Sequence, residues 1–346
     1  MSDLDAALAL YDYALPEELI ANAPASPRES ARLLVAQRGS PRVQWDTFAG
    51  IQGYLPAHAL LVLNHTKVIP ARLWVHRENG SRRELLVLHW GERGVTALIR
   101  GHVLPGERLV CGGDCAFRVL EPIDTQWILQ PLFPREELMQ MLDRYGVTPI
   151  PPYIRDCPLS EDALRREYQS VFADIPGSSA APTASLHFSE ALLTALQDAG
   201  ITFASITLHV GLGTFAPLRD QQWRSGTLHE EWYEIGNDAA LAINAAKREG
   251  RAVIAVGTTV ARTLESAGDE QGGVQATSGT TDLFIREGYT FRVIDGLITN
   301  FHVPRSSLLM LVSAFLGRER ILELYREAIM RRCRFFSFGD GMLLLR

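Results

Sequence analysis

The run Ala59-Leu60-Leu61-Val62-Leu63, followed at once by Asn64-His65-Thr66-Lys67, decides how this chain is read. Five apolar residues without alternation are too few for a buried helix and fit a central strand covered on both faces. Such a strand delivers Asn64 to Lys67 at its C-terminal end, where open α/β sheets keep their function. Working outward, Arg32–Ala36 reads as another strand, and Leu15–Ala21 as a short helix with Pro16 at its first position. After Pro70 the texture changes to short strand-like runs: Leu73–His76, Glu84–Trp90, Val95–Arg100, Arg108–Cys111, Ala116–Leu120 and Trp127–Leu132. Asn79-Gly80, Pro105-Gly106 and Gly112-Gly113 supply the turns, so a small closed barrel is expected here. A helix over Arg135–Tyr145 stops at Gly146, and Pro149, Pro151 and Pro152 return the chain. Strand and helix signals then alternate: strands at Ile201–Val210 and Ala252–Val256, and an extended stretch at Phe291–Ile294. Helices are expected over Ala239–Glu249, Thr259–Ser266, Ser307–Leu316 and Glu319–Arg331, with a closing strand near Met342–Leu345. The expected architecture is α/β: a mixed-sheet main domain (1–70 and 147–346) carrying an inserted β-barrel domain (71–146).

A chain of 346 residues with a formal charge of −6 is not a non-specific binder of nucleic acid. Basic charge is nonetheless concentrated: residues 28–108 hold 12 Lys/Arg against 6 Asp/Glu, and residues 305–346 hold 8 against 4, as contact with part of a polyanion requires. No apolar run is long enough to span a bilayer, and Asp3 and Asp5 replace the basic start of a signal peptide. Four cysteines are too few for a disulfide framework, so a reducing, cytoplasmic setting is expected. Nothing in the sequence demands more than a monomer. Cys111-Gly-Gly-Asp-Cys115 is only half of a metal knuckle.

Polar groups cluster at strand ends and helix starts. Ala180-Ala181-Pro182-Thr183-Ala184-Ser185-Leu186-His187-Phe188 reads as a rigid loop feeding a helix capped by Ser189 and ending at Gly200. It places Thr183, Ser185 and His187 just ahead of a helix N-terminus. His209 ends a strand beside Gly211, Gly213 and Thr214, where glycines let backbone approach a ligand. Val256-Gly257-Thr258-Thr259-Val260-Ala261-Arg262 is a strand–loop–helix turn whose amides suit a carboxylate or ribose hydroxyls. If extended, His229, Glu231 and Tyr233 share a face, where a His/Glu pair could move a proton. Asn300-Phe301-His302 ends another strand. A competing chemistry would use His209, His229, Glu231 and His302 as metal ligands, without support from any His-x-His or His-x-x-x-His pair. No phosphate-binding loop of the Walker type and no Gly-x-Ser-x-Gly elbow is present.

Together these stretches resemble the S-adenosylmethionine:tRNA ribosyltransferase-isomerase family of the queuosine pathway. Matching segments include Tyr11-Asp12-Tyr13, Lys67–Leu73, Pro151-Pro152-Tyr153-Ile154, Tyr168-Gln169-Ser170-Val171, Ala180–Phe188, Leu208–Phe215, Val256–Ser266, Thr299–Phe315 and Arg334–Met342. The resemblance implies transfer of the ribosyl part of S-adenosylmethionine to 7-aminomethyl-7-deazaguanine at the wobble position of a tRNA. The sugar isomerises to give epoxyqueuosine, adenine and methionine leave, and the donor is consumed, so no separate cofactor or metal is expected. It further implies proton transfer by His187, His209, His229 and Glu231. Donor contacts would come from Thr183, Ser185, Gly211, Gly213, Thr214, Tyr233, Thr258, Thr259, Arg262, Asn300 and His302, and RNA contacts from Arg72 and Lys67. The chain departs from the family pattern at Gly226, Leu228, Gly101–Val103, Ser185 and Arg286-Glu287. A related enzyme with the same donor and another acceptor is therefore the alternative, with a metal-dependent hydrolase behind it.

Overall fold

The computed structural model describes residues 2–91, 93–211 and 217–346. In chain order, α1 (Asp3–Ala9) precedes β1 (Arg32–Gln37), β2 (Val43–Thr47), β3 (Leu60–Asn64) and β4 (Thr66–Val68). Six strands follow: β5 (Arg72–Arg77), β6 (Arg82–Gly91), β7 (Gly94–Arg100), β8 (Arg108–Gly112), β9 (Cys115–Ile123) and β10 (Gln126–Pro131). Then come α2 (Leu138–Tyr145), α3 (Glu161–Glu167), β11 (Ile175–Ser178), α4 (Glu190–Asp198), β12 (Thr202–Leu208), α5 (Asp220–Ser225) and β13 (Thr227–Ile235). The chain closes with α6 (Asn237–Arg248), β14 (Val253–Val256), α7 (Thr258–Ala267), β15 (Thr277–Leu283), β16 (Gly296–Asn300), α8 (Ser307–Leu316), α9 (Arg318–Met330) and β17 (Gly341–Leu345).

The large sheet is mixed, in the order β15-β13-β12-β3-β14-β16-β17-β1-β2. Its four central strands β12, β3, β14 and β16 are parallel, so their C-terminal ends share one edge. β3 explains itself: Leu60 and Val62 pack with α6, α7 and α8 on one face, while Leu61 and Leu63 pack with α4 and Phe48 on the other. Both faces are apolar, which is why the run shows no alternation. The flanking strands β13 and β17 run antiparallel to their central neighbours.

Strands β5 to β10 form a closed antiparallel barrel in the order β10-β7-β6-β5-β8-β9. The chain enters and leaves it side by side, since Arg72 and Val147 exchange backbone hydrogen bonds of 3.2 and 2.8 Å. Gly146 is required there: a Cβ would stand 1.9 Å from the Pro70 carbonyl oxygen. Far from this junction, Asp124 in the β9–β10 turn pairs with Arg219 of the main sheet's domain at 3.6 Å.

Several expectations change in detail. Leu15–Ala21 holds only a 3-10 turn over Glu17–Leu19, because the chain is extended at Ile20 to bridge Phe335. The stretch Ala180–Phe188, expected as a rigid loop, contains a 3-10 turn, Thr183–His187, most of it buried. The helix expected from Ala239 begins two residues earlier, at Asn237, just after Gly236. Phe291–Ile294 lies outside the strands, and the strand instead begins at Gly296.

Candidate active site

A cleft opens where β14 and β16 end. Its walls include Ala181, Pro182 and Thr183 from the 3-10 turn, Thr258 and Thr259 from the start of α7, and Asn300 and His302 beyond β16. Tyr153, Phe336 and Ser337 complete it.

Asn300 organises one wall. Its Nδ2 donates to the Phe336 carbonyl at 3.0 Å, and a carbonyl only accepts, so the orientation of the amide is settled. The same nitrogen faces His187 Nε2 at 3.3 Å, which must therefore accept. The amide oxygen lies 3.5 Å from the donor Thr183 Oγ1. Phe336 holds a left-handed backbone conformation, φ +69°, uncommon for an aromatic residue and supported here by the Asn300 contact.

His302 is held at three points. Its Nε2 pairs with Thr299 Oγ1 at 2.9 Å, its backbone N–H donates to the Tyr325 hydroxyl at 2.9 Å, and its carbonyl accepts from the Tyr13 hydroxyl. Burial lowers its pKa to about 3, so the ring is neutral. His187 is also buried and stacks on Phe48 with ring centroids 4.0 Å apart. Burial first, then the Arg334 and Arg28 charges, lower its pKa to about 3. It sits behind Asn300 rather than on the cleft wall.

Two further clusters border this cleft through Val210. In the first, Glu231 and Arg262 form an ion pair with side chains only 4% and 3% exposed. Arg262 also donates to the Leu283 carbonyl at 3.0 Å and the Thr281 carbonyl at 3.3 Å, while Glu231 accepts the Gly211 N–H at 3.0 Å. Tyr233 shares the buried face with Glu231, as period two requires. No hydrogen bond joins Glu231 to His229 among the described residues. In the second cluster, His209 pairs with Thr66 Oγ1 at 2.8 Å and stacks on Trp232 at 5.1 Å. Burial, with His89 of the barrel and His65 adding repulsion, lowers the His209 pKa to about 4.

The sequence candidates thus separate. Thr183, Thr258, Thr259, Asn300 and His302 meet in the cleft, and His187 backs them. Arg262, Glu231 and Gly211 anchor its border. Ser185 is fully buried, away from the cleft wall, with an unpartnered hydroxyl. Gly213 and Thr214 lie outside the described residues. Arg72 is committed within the fold, donating to the Ile150 carbonyl at 2.7 Å and lying 2.9 Å from Glu84, whereas Lys67 is exposed. His209, His229, Glu231 and His302 form no metal-holding group among the described residues. Cys111 is structural: its thiol donates to the Cys115 carbonyl, and burial pushes its pKa up to about 11. Sequence reasoning missed Tyr13, Tyr153, Tyr325, Phe336 and Ser337 as site residues, although several lie in the quoted motifs. The Tyr153 and Ser337 hydroxyls meet at 2.6 Å.

The model of the queuosine biosynthesis protein family matches residues 8–344. The chain belongs to this family. An S-adenosylmethionine:tRNA ribosyltransferase-isomerase from Carboxydothermus hydrogenoformans is 47% identical over 343 residues, covering 97% of this chain and 98% of the relative. One from Aquifex aeolicus is 46% identical over 338 residues, covering 97% and 98%. The crystal structure of an S-adenosylmethionine tRNA ribosyltransferase from Thermotoga maritima is 34% identical with a TM-score of 0.57, covering 97% of this chain and all of that one. Two departures from the family pattern are neighbours in space. Gly226 takes φ +72° at the end of α5, and a Cβ there would lie 3.9 Å from the Arg286 guanidinium, which covers Trp223. Among the described residues, no helix is long and apolar enough to cross a membrane.

Proposed function

We propose that this chain carries out the reaction its relatives are named for. It transfers the ribosyl part of S-adenosylmethionine to 7-aminomethyl-7-deazaguanine in the wobble position of tRNA and isomerises the sugar, releasing adenine and methionine. The observation that carries this reading is the family match over residues 8–344, together with a cleft lined by the matching motifs. Residues 1–70 and 147–346 supply the cleft, and residues 71–146 the inserted barrel.

The chemistry requires a base for the C5′–H that the sulfonium acidifies, and proton delivery to the departing adenine. His302 is the histidine on the cleft wall; burial keeps its ring neutral and weakens it as a base, so it serves there as a fixed polar contact held by Thr299 rather than as the base. His187 acts through Asn300 and shapes the wall, so its role is positioning. The Glu231–Arg262 pair fixes Gly211 at the border, and His209 with Trp232 stands on the side facing the barrel.

The test is adenine release from S-adenosylmethionine with tRNA carrying 7-aminomethyl-7-deazaguanine, against the same tRNA with guanine. Release only with the deazaguanine, alongside a modified nucleoside, is expected. Donor binding without release on that tRNA would move the reading to an enzyme with another acceptor.

A further inference from the structure

The start of α7 is built like a site awaiting a ligand. Its ten residues begin directly after β14, and Gly257 takes φ +99°, a conformation that turns the chain sharply into the helix. No side chain caps this end and no acidic residue occupies the first turn. Among the described residues, the backbone N–H groups of Thr258, Thr259 and Val260 find no acceptor. They cannot all rely on solvent, since these three residues are 7, 5 and 0% exposed. A buried helix start without capping partners is unusual and implies an acceptor from outside the chain. A second feature is independent of the helix: Thr259 Oγ1 is buried and has no hydrogen-bond partner. Thr259 lines the cleft together with Thr258 and Gly257. The start of α8, whose Leu308 also lines the cleft, is already satisfied, because Ser306 Oγ accepts from Leu309 N at 3.2 Å.

Free amides, a spare hydroxyl and the positive end of a ten-residue helix make a receptor for a small anion. Among the described residues no arginine or lysine lines this cleft, so dipoles and hydrogen bonds are what it offers an anion. That arrangement suits a single carboxylate better than a dianionic phosphate. We infer that the start of α7 binds the carboxylate of the donor's methionyl group through the Thr258 and Thr259 amides and Thr259 Oγ1. This rests on the proposed use of S-adenosylmethionine and gives the donor a direction in the cleft. Its methionyl end lies at α7, which leaves Tyr153, Phe336 and His302 for the nucleoside.

The experiment compares S-adenosylmethionine with its decarboxylated analogue, identical except for the missing carboxylate. Equilibrium binding and tRNA-dependent adenine release are measured for the wild type, Thr259→Val and Thr259→Ser. The wild type should bind the intact donor at least tenfold more tightly than the analogue. Thr259→Val, equal in shape but without the hydroxyl, should reduce that preference several-fold, and Thr259→Ser should keep it. Equal binding of both donors by the wild type, or an unchanged preference in folded Thr259→Val, overturns the assignment. Weaker tRNA binding by Thr259→Val with the donor preference intact would give the site to an RNA phosphate and likewise overturn it. Failure of the wild type to bind S-adenosylmethionine at all would instead remove the proposed function, and this inference with it.

Discussion

Removing one member of the Glu231–Arg262 pair should be among the most damaging single changes in this protein. Both side chains are almost wholly enclosed, at 4% and 3% exposed. Arg262 spends its other donors on the Leu283 and Thr281 carbonyls, which hold α7 against β15. Glu231→Leu leaves the guanidinium buried without its counter-charge, and Arg262→Leu leaves a buried carboxylate facing only the weaker partners that remain. Breaking a buried pair in this way costs about 3–5 kcal/mol. At roughly 2 °C per kcal/mol for a large domain, each single variant should melt about 6–10 °C lower. The double variant Glu231→Leu/Arg262→Leu removes both charges together, so its loss should fall well short of the sum of the two. A thermodynamic cycle by thermal and urea unfolding reads that coupling. Adenine release should stay low in all three, because the double variant still lacks the acceptor for Gly211 N–H. Single variants within about 1 kcal/mol of the wild type, or strictly additive losses, would refute the closed pair.

Further outcomes follow from individual contacts. Ser185→Ala deletes a buried hydroxyl without a partner, so it should raise stability by about 1 kcal/mol in thermal unfolding and leave adenine release intact. Loss of activity would show that Ser185 touches the donor. Gly146→Ala should destabilise by about 1–3 kcal/mol or more, because its Cβ would strike the Pro70 and Leu142 carbonyls, neither of which can swing aside. His187 and His302 are held neutral with folded pKa values of about 3, below the ordinary 6.5. Between these values the unfolded chain binds more protons, so stability is fully present above pH 6.5 and falls as the pH drops towards 3. The slope is about 1.4 kcal/mol per pH unit for each ring. His187→Gln should remove one such increment from the pH dependence of the urea midpoint; an unchanged slope would contradict its neutral burial.

Much of the fold was legible because local chemistry and tertiary placement agree. The barrel strands could be read from six apolar runs separated by Asn79-Gly80, Pro105-Gly106 and Gly112-Gly113, whose positive φ at Gly80, Gly106, Gly112 and Gly113 matches the turns they form. β15 was not legible: Thr277-Ser278-Gly279-Thr280-Thr281 has the composition of a loop, and it becomes a strand only because β13 offers its edge. α1 went unread although Ser2 and Asp5 form a reciprocal cap at its start.

The site was legible in its parts but not in its assembly. Thr258, Asn300 and His302 each stood at a strand end, and the parallel order of β12, β3, β14 and β16 is what gathers those ends. No local pattern encodes that order. Ser189 announced a capped N-terminus after His187, and a cap is easily seen; yet a helix start already capped has fewer donors left for a ligand. The α7 start carries no capping side chain; its strand–loop–helix sequence already suggested amides suited to a carboxylate, and burial adds that they have no other acceptor. His187 shows the converse. It was read as a proton carrier from its neighbours in sequence, but Phe48 covers its ring and Asn300 takes its nitrogen, both brought from distant strands and turns. A histidine so enclosed shapes the wall from behind, whereas His302 lies on the cleft wall itself.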